Sequence, residues 1–498
     1  MPKSYMGGFA TKSELDEHKE KDGAFILGKI HSDHGVNFSA GIKDDRHLFM
    51  VAGSRAGKGT TMIIPNLLKW KGGVFCIDPK GENATITAIR RGTAEAAKGT
   101  GTSVRPPNFI GQNVAILDPF KTVRGPARKY CVNYDPMLDI TIDKDEESSQ
   151  ILAIAEAIVV QEKGSGSHFT ESVETIIAGL IEAVIHSEDD PKKHTLTFCR
   201  KKILKGFEGL TEYLGESKIT DAGLAQDAYS LLQQVGDEEG GSFASTISRQ
   251  MKWIADPRIQ RHLNNSGFSL VKALRENWSV YICIPPSKIP RMKRWLRAMV
   301  RIALDAKMDV LAPPEGERTL FILDEFYALG HLQLIEDAAA YMAGYGIKLV
   351  PVIQNIGQIK NLYDKNWETF LGNAGGIIAW GLNDLETEKY ISDRLGQVRD
   401  YESSFSSGTS RDPDSAGARN RTDGESIALR DRAIRWPNEI HKEGAREENR
   451  AFIISASGPP FMVERVEYMK QQGQGLYDSM EFVEEWEAHR AEHTKTSR

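Results

Sequence analysis

This 498-residue sequence predicts an α/β fold built on a mainly parallel sheet and interrupted by an all-α insertion. Three observations predict it. Short continuous apolar runs alternate with helix-like patterns along most of the chain, as in sheets covered by helices on both faces. The stretch 145–267 breaks that rhythm, with helical periodicities and no strand-like run. One apolar run leads into a turn of small residues and then a Gly-Lys pair at a helix start.

The expected strands are His47–Ala52, Gly73–Ile77, Val114–Leu117, Ser279–Ile284, Leu320–Leu323, Lys348–Ile353, Gly376–Trp380 and Arg450–Ile454, each rich in β-branched or aromatic residues and followed by a turn or a helical pattern. Thr93–Asn113 and the Ser- and Gly-rich Tyr401–Ser426 read as loops. From Gln471 an acidic, helix-prone run ends in Lys-Thr-Ser-Arg and reads as a solvated tail. The expected division is a nucleotide-binding α/β part in two pieces, 1–144 and 268–470, an all-α part over 145–267 and a charged tail over 471–498.

Composition narrows the function. Lys+Arg 63 against Asp+Glu 69 gives a net charge of -6, which argues against coating nucleic acid by bulk charge but leaves room for a local basic channel. Cys76, Cys131, Cys199 and Cys283 are far apart and form no CxxC pair, so neither a disulfide framework nor a zinc site is expected, and a reducing compartment fits. The most apolar stretches, Ile151–Val160 and Ile176–Ile185, carry Glu156 and Glu182 and fall short of the roughly 20 residues a membrane span needs. A cytoplasmic location is expected.

The most informative segment runs from His47 to Leu68. A strand enters Gly53-Ser54-Arg55-Ala56, then Gly57-Lys58, then Gly59-Thr60-Thr61 and a helix. Backbone N–H groups of such a turn wrap a phosphate, the helix start adds its dipole, and Lys58 reaches the β/γ oxygens. The match to G-x-x-x-x-G-K-[ST] is imperfect, since Ala52 stands at the first Gly and Gly59 at the Mg²⁺-binding hydroxyl. Thr60 or Thr61 then supplies the metal oxygen, with Thr60 preferred. Pro65 falls inside the helical pattern, where it is expected to break a backbone bond and kink the helix.

A nucleotidase also needs a carboxylate on a neighbouring strand end for Mg²⁺ and a group that orients water. Thr319-Leu-Phe-Ile-Leu runs into Asp324-Glu325, with Asp324 as the metal-side acid and Glu325 as general base. Strand ends also deliver Asp78, Lys80 and Glu82 as a second acidic motif, and Gln354 as a ligand of the γ-phosphate or the water.

Jointly, Ala56-Gly-Lys-Gly-Thr with Ile64-Pro-Asn-Leu-Leu, Asp78-Pro-Lys-Gly-Glu, Ile322-Leu-Asp-Glu-Phe, Ala343-Gly-Tyr-Gly-Ile, Gln354 and Tyr390-Ile-Ser resemble the TraG/TraD-like coupling proteins of type IV secretion and conjugation, over about Gly28 to Tyr468. Phe169-x-x-Ser-Val-Glu-Thr-Ile-Ile-Ala-Gly is similar to the family's entry into its all-α domain. The resemblance implies a RecA-like P-loop motor that hydrolyses ATP with Mg²⁺. It also implies a homo-hexameric ring feeding DNA, relaxase–DNA or secreted protein into secretion-channel subunits at the cytoplasmic face of the inner membrane. Most members begin with a membrane anchor, and this chain starts where such an anchor would end; the expectation is a natural chain that relies on a separate membrane-anchor protein. Ala343 replaces an arginine that some branches carry, so an arginine finger must come from elsewhere, with Arg249 and Arg394 as candidates.

Two basic segments, Lys288–Arg301 and Cys199–Lys205, read as amphipathic helices with solvated basic faces, or otherwise as ring-lining or subunit-contact surfaces. No base-reading motif is present, so DNA contact is expected to be independent of sequence. Two alternatives remain at this level: an FtsK/HerA-like DNA translocase, and a non-motor platform that binds nucleotide and docks substrates.

Overall fold

The computed structural model describes residues 8–31, 37–99, 108–140, 145–160, 166–217, 223–264, 267–309, 318–336, 342–411 and 419–471. Its centre is an eleven-stranded sheet. The strands are β1 (Phe25–His31), β2 (Asn37–Ile42), β3 (Leu48–Ala52), β4 (Val74–Asp78), β5 (Val114–Leu117), β6 (Ser279–Cys283), β7 (Thr319–Leu323), β8 (Ile347–Ile353), β9 (Gly376–Trp380), β12 (Arg450–Ser455) and β13 (Phe461–Glu464). Their order is β2-β1-β13-β12-β9-β3-β8-β7-β4-β6-β5. From β9 to β5 every pairing is parallel. The β9 side is extended by antiparallel strands, so Arg450–Ser455 pairs against β9 and β13 rather than continuing the parallel array.

All eight strands expected from apolar runs are present. The expected loop Tyr401–Ser426 is different: Gln397–Arg411 (β10) and Arg419–Ala433 (β11) pair residue for residue as a separate antiparallel ribbon. Ser and Gly content misleads there because a hairpin satisfies its own backbone groups without a continuous apolar face. The tail from 472 onward lies outside the described residues.

The parallel strands are buried on both faces, and their side chains alternate between two cores. Leu48, Met50 and Ala52 of β3 enter one, with Ile378 and Trp380; Phe49 and Val51 enter the other, with Phe75, Ile77 and Ile377. The helices outside the central stretch are α1 (Lys12–Asp16), α2 (Ile64–Lys69), α3 (Glu82–Arg91), α11 (Leu270–Arg275), α12 (Ile289–Met308), α13 (Ile356–Tyr363), α14 (Trp367–Gly372), α15 (Leu385–Leu395) and α16 (Pro437–Glu443).

Between 145 and 264 the described elements are helical: α4 (Glu147–Ile158), α5 (Ser167–Ser187), α6 (Leu196–Ile203), α7 (Gly206–Gly215), α8 (Leu224–Gln234), α9 (Asp237–Gln250) and α10 (Pro257–His262). The apolar segments too short to span a membrane become α4 and α5. Their Ile151, Ile154, Ile176 and Ile181 join the same apolar cluster as Phe49, Val51 and Phe75 of the sheet. No helix among the described residues is long and apolar enough to cross a membrane.

The Lys288–Arg301 segment is not a solvated basic face. On α12, Arg297 is buried and donates to the carbonyls of Ala157, Leu329 and His331. Arg294 donates to Gln250, and Arg301 pairs with Glu156 and Asp305. These arginines join the helical part to the sheet, and Arg291 remains exposed. In the second basic segment, Lys202 pairs with Glu188 and lies 3.6 Å from the Tyr213 ring centroid.

Candidate active site

The C-terminal ends of β9, β3, β8 and β7 lie side by side, the edge where open α/β sheets take ligands. β3 stops at Ala52, which is buried and paired with Trp380. The close approach falls one residue later. A Cβ on Gly53 would stand 2.0 Å from the Gly381 carbonyl oxygen, so glycine is required at 53 and not at 52. This explains the displaced first glycine of the motif. Arg55 (φ 62°) and Gly57 (φ 81°) then turn the chain into a helix start.

Thr60 and Thr61 both donate their hydroxyls to the Gly57 carbonyl, at 3.1 and 2.9 Å. Gly59–Ile63 is a π-helical turn, closed by the Ile64 N–H on the Gly59 carbonyl, and it passes directly into α2. Pro65 stands at the start of α2, directly after this turn, so the residue that has no N–H to donate falls where the helix changes from π to α geometry. Wide turns of this kind recur at functional sites.

Lys58 reaches across to the β7 end. Its Nζ lies 3.1 Å from Asp324 Oδ1 and 3.7 Å from Glu325 Oε1, with 15% of the lysine side chain exposed. Glu325 adopts the left-handed conformation (φ 60°, ψ 41°), strain that persists where the surroundings impose it and clusters at functional sites. The turn sends Glu325 towards β8, where Gln354 donates its Nε2 to Glu325 Oε2 at 3.3 Å and accepts from Ser54 Oγ at 2.9 Å. The Gln358 side chain holds the Gln354 N–H at 2.9 Å. The strand ends thus bring Ser54, Lys58, Asp324, Glu325 and Gln354 into one connected set.

The second acidic motif borders this set. Asp78 ends β4, the neighbour of β7, and accepts the Ala84 N–H at 2.8 Å, capping α3. Burial pushes its carboxyl up to about 7, with nearby Glu82 and Asp324 acting in the same direction. Glu82 is buried in the first turn of α3, and Lys80 is exposed. The arginine-finger candidates stand elsewhere. Arg249 on α9 donates to Thr246, and Arg394 on α15 lies 5.9 Å from the Tyr390 ring centroid.

Two residues at the loop escaped sequence reasoning. Trp380 Nε1 and Arg465 Nη1 both donate to the Ala56 carbonyl at 2.8 Å. Trp380 carries a weak signal as an aromatic ending an apolar run; Arg465, 409 positions from its partner, carries none.

The family model for type IV secretory system conjugative DNA transfer matches residues 8–498. The chain belongs to this family. Among relatives of the conjugative DNA transfer family, the conjugal transfer protein TraG of Escherichia coli is 25% identical over 438 residues, covering 83% of this chain and 65% of TraG. Protein VirD4 of Rhizobium rhizogenes is 27% identical over 366 residues, covering 70% of this chain and 49% of VirD4. The chain thus spans about half to two-thirds of the length of these curated relatives. Among solved structures, the bacterial conjugative coupling protein TrwBdeltaN70 superimposes with a TM-score of 0.61 at 14% identity over 92% of both chains. TrwB in complex with ADP and Mg²⁺ gives 0.59 at 14% identity over 95% of this chain and 96% of that one. The fold is the RecA-like P-loop fold of these coupling proteins.

Proposed function

We propose that the chain is an ATP-hydrolysing coupling protein of a type IV secretion system. It works as a homo-hexamer at the cytoplasmic face of the inner membrane, recruits relaxase–DNA or protein substrates, and feeds them into the secretion channel. DNA contact is to the backbone, without sequence preference, and the helical part over 145–267 faces the substrate. The connected set Ser54–Gln354–Glu325–Lys58–Asp324 at the parallel strand ends carries this reading. The kinship to TraG and VirD4, and the capture of TrwB with ADP and Mg²⁺, support it.

The residues fit a nucleoside triphosphate and a divalent cation. The turn from Gly53 to Gly57 offers main-chain N–H groups beside a helix start, which suits phosphate. Lys58, held by two carboxylates, is placed for the β/γ oxygens. Asp324 and the Thr60 hydroxyl are the oxygen donors for Mg²⁺, which when bound offsets phosphate charge. Glu325 is the general base for the attacking water. Gln354, hydrogen-bonded to both Glu325 and Ser54, senses whether that region is filled. Arg249 or Arg394 would act only across a subunit boundary.

The test is the ATPase rate over a protein-concentration series, with and without single- or double-stranded DNA at low salt. The expected result is a steep dependence on protein concentration, stimulation by DNA, and loss of turnover in Lys58→Ala and Glu325→Gln. Removing a general base costs about 10²–10⁴-fold. Wild-type turnover in either variant would overturn the site assignment.

A further inference from the structure

Arg465 is the least expected charge in the molecule. It follows β13 directly and is 1% exposed. Among the described residues its acceptors are main-chain carbonyls: Nη1 donates to Ala56 at 2.8 Å, Nε to Arg450 at 3.2 Å and Nη2 to Arg446 at 3.2 Å. Its guanidinium carbon lies 5.4 Å from the Trp380 ring centroid. Carbonyl dipoles, an aromatic face and the nearby Glu467 carboxylate compensate the buried cation, while Arg446 opposes it. Burial lowers the Arg465 pKa to about 10 against the opposing pull of Glu467, which leaves the group protonated at neutral pH. The backbone of Arg465 is tied down as well, its N–H donating to the Asn449 carbonyl at 2.7 Å.

The Ala56 carbonyl carries two donors, Arg465 Nη1 and Trp380 Nε1. A trans peptide is planar, so its C=O and N–H point in opposite directions. Holding the Ala56 oxygen against β9 and β13 therefore turns the Gly57 N–H the other way, towards the mouth of the phosphate loop. The positive φ of Gly57 permits that orientation, and a Cβ there would lie 3.5 Å from Arg465 Nη1.

We propose that Arg465 is a positioning residue of the phosphate loop: with Trp380 it fixes the Ala56–Gly57 peptide so that the Gly57 N–H faces the nucleotide. This rests on the nucleotide-binding reading above. It makes the segment after β13 part of the nucleotide site, although it lies more than four hundred residues from the loop.

The experiment measures Mg²⁺·ADP affinity with a fluorescent ADP, together with ATPase KM and kcat, in wild type, Arg465→Met, Arg465→Lys and Trp380→Phe. Hydrogen bonds to charged groups are the stronger class, so Arg465→Met is expected to weaken ADP binding about tenfold or more. KM should rise with it while kcat changes much less, the signature of lost ground-state binding. Arg465→Lys keeps the charge but not the fork, so it should fall between wild type and Arg465→Met. It also carries the test if the methionine variant does not fold. Lowered melting temperature with ADP affinity within twofold of wild type in both arginine variants would make Arg465 a structural brace and overturn the proposal. A wild-type protein that fails to bind ADP would overturn the nucleotide reading and this inference together; wild-type binding with unaltered variants would overturn this inference alone.

Discussion

Gly53→Ala and Gly59→Ala form a paired test, because the two glycines look alike in the sequence and differ completely in their surroundings. A methyl group at 53 would lie 2.0 Å from the Gly381 carbonyl oxygen and 3.2 Å from its carbon, both main-chain atoms. Gly381 cannot retreat: its N–H is bound to the Gly444 carbonyl at 2.7 Å, and a Cβ of its own would already stand 2.5 Å from Ala56 Cβ. The phosphate loop must then move by roughly 1 Å. A displacement of that size costs about 10²-fold in rate, or about 2.7 kcal/mol of barrier. Overpacking is expected to remove a further ~1–3 kcal/mol of stability. At Gly59 nothing lies within 4 Å of the added carbon, and the residue sits in a helical turn. Alanine there should be neutral or stabilising by up to about 1 kcal/mol. ATPase rates and thermal melts of the two variants decide the matter. A Gly53→Ala protein with turnover within threefold of wild type would refute the close-approach argument, as would a Gly59→Ala protein as damaged as Gly53→Ala.

Three further outcomes are expected. Asp78, raised from 3.8 to about 7 by burial, keeps its proton in the folded state between roughly pH 4 and 7 while the unfolded chain has released it. Its contribution therefore lowers stability as pH rises through that window, by on the order of 4 kcal/mol at most. Asp78→Asn should gain on wild type between pH 5 and 8 in urea unfolding, and a difference independent of pH would contradict this. Arg297→Met strands the carbonyls of Ala157, Leu329 and His331, at about 3 kcal/mol. Hydrogen exchange should rise at the end of α4 and over 326–331, and unaltered exchange in both places would remove the bridging role. Of the four cysteines only Cys131 is exposed, and burial of its sulfur pushes the thiol up to about 12. A disulfide reagent should modify one thiol slowly in the native protein, and rapid modification of more than one would contradict the burial of Cys76, Cys199 and Cys283.

Much of the candidate site was legible because its residues sit where strands end. Asp324, Glu325 and Gln354 each follow an apolar run, and parallel pairing of β3, β8 and β7 brings such run ends to one edge whatever their separation in sequence. The antiparallel strands were harder. β1 contains Gly28 and Lys29, and β13 is only four residues long, so neither has the continuous apolar run of a doubly covered strand. The ribbon β10–β11 was misread because its pairing depends on main-chain hydrogen bonds and not on hydrophobic pattern. Arg465 and Trp380 act through a peptide carbonyl, an acceptor every residue possesses, and so leave no mark in the identity of Ala56. The π-helical turn has a partial signature: Pro65 forbids an ordinary helix through Thr61, and the extra residue in the turn is the backbone's way around it.

The apolar cluster that α4 and α5 share with β3 and β4 constrains how the helical stretch evolves. A cassette with its own core can be excised or replaced whole, leaving two short scars. Here Ile151, Ile154 and Ile176 are packing partners of the same cluster as Phe49 and Phe75, so removing the helices would leave a face of the sheet wet. Change along this stretch is therefore confined to the outer surfaces of these helices, residue by residue, while their inner faces stay under the selection that governs the sheet.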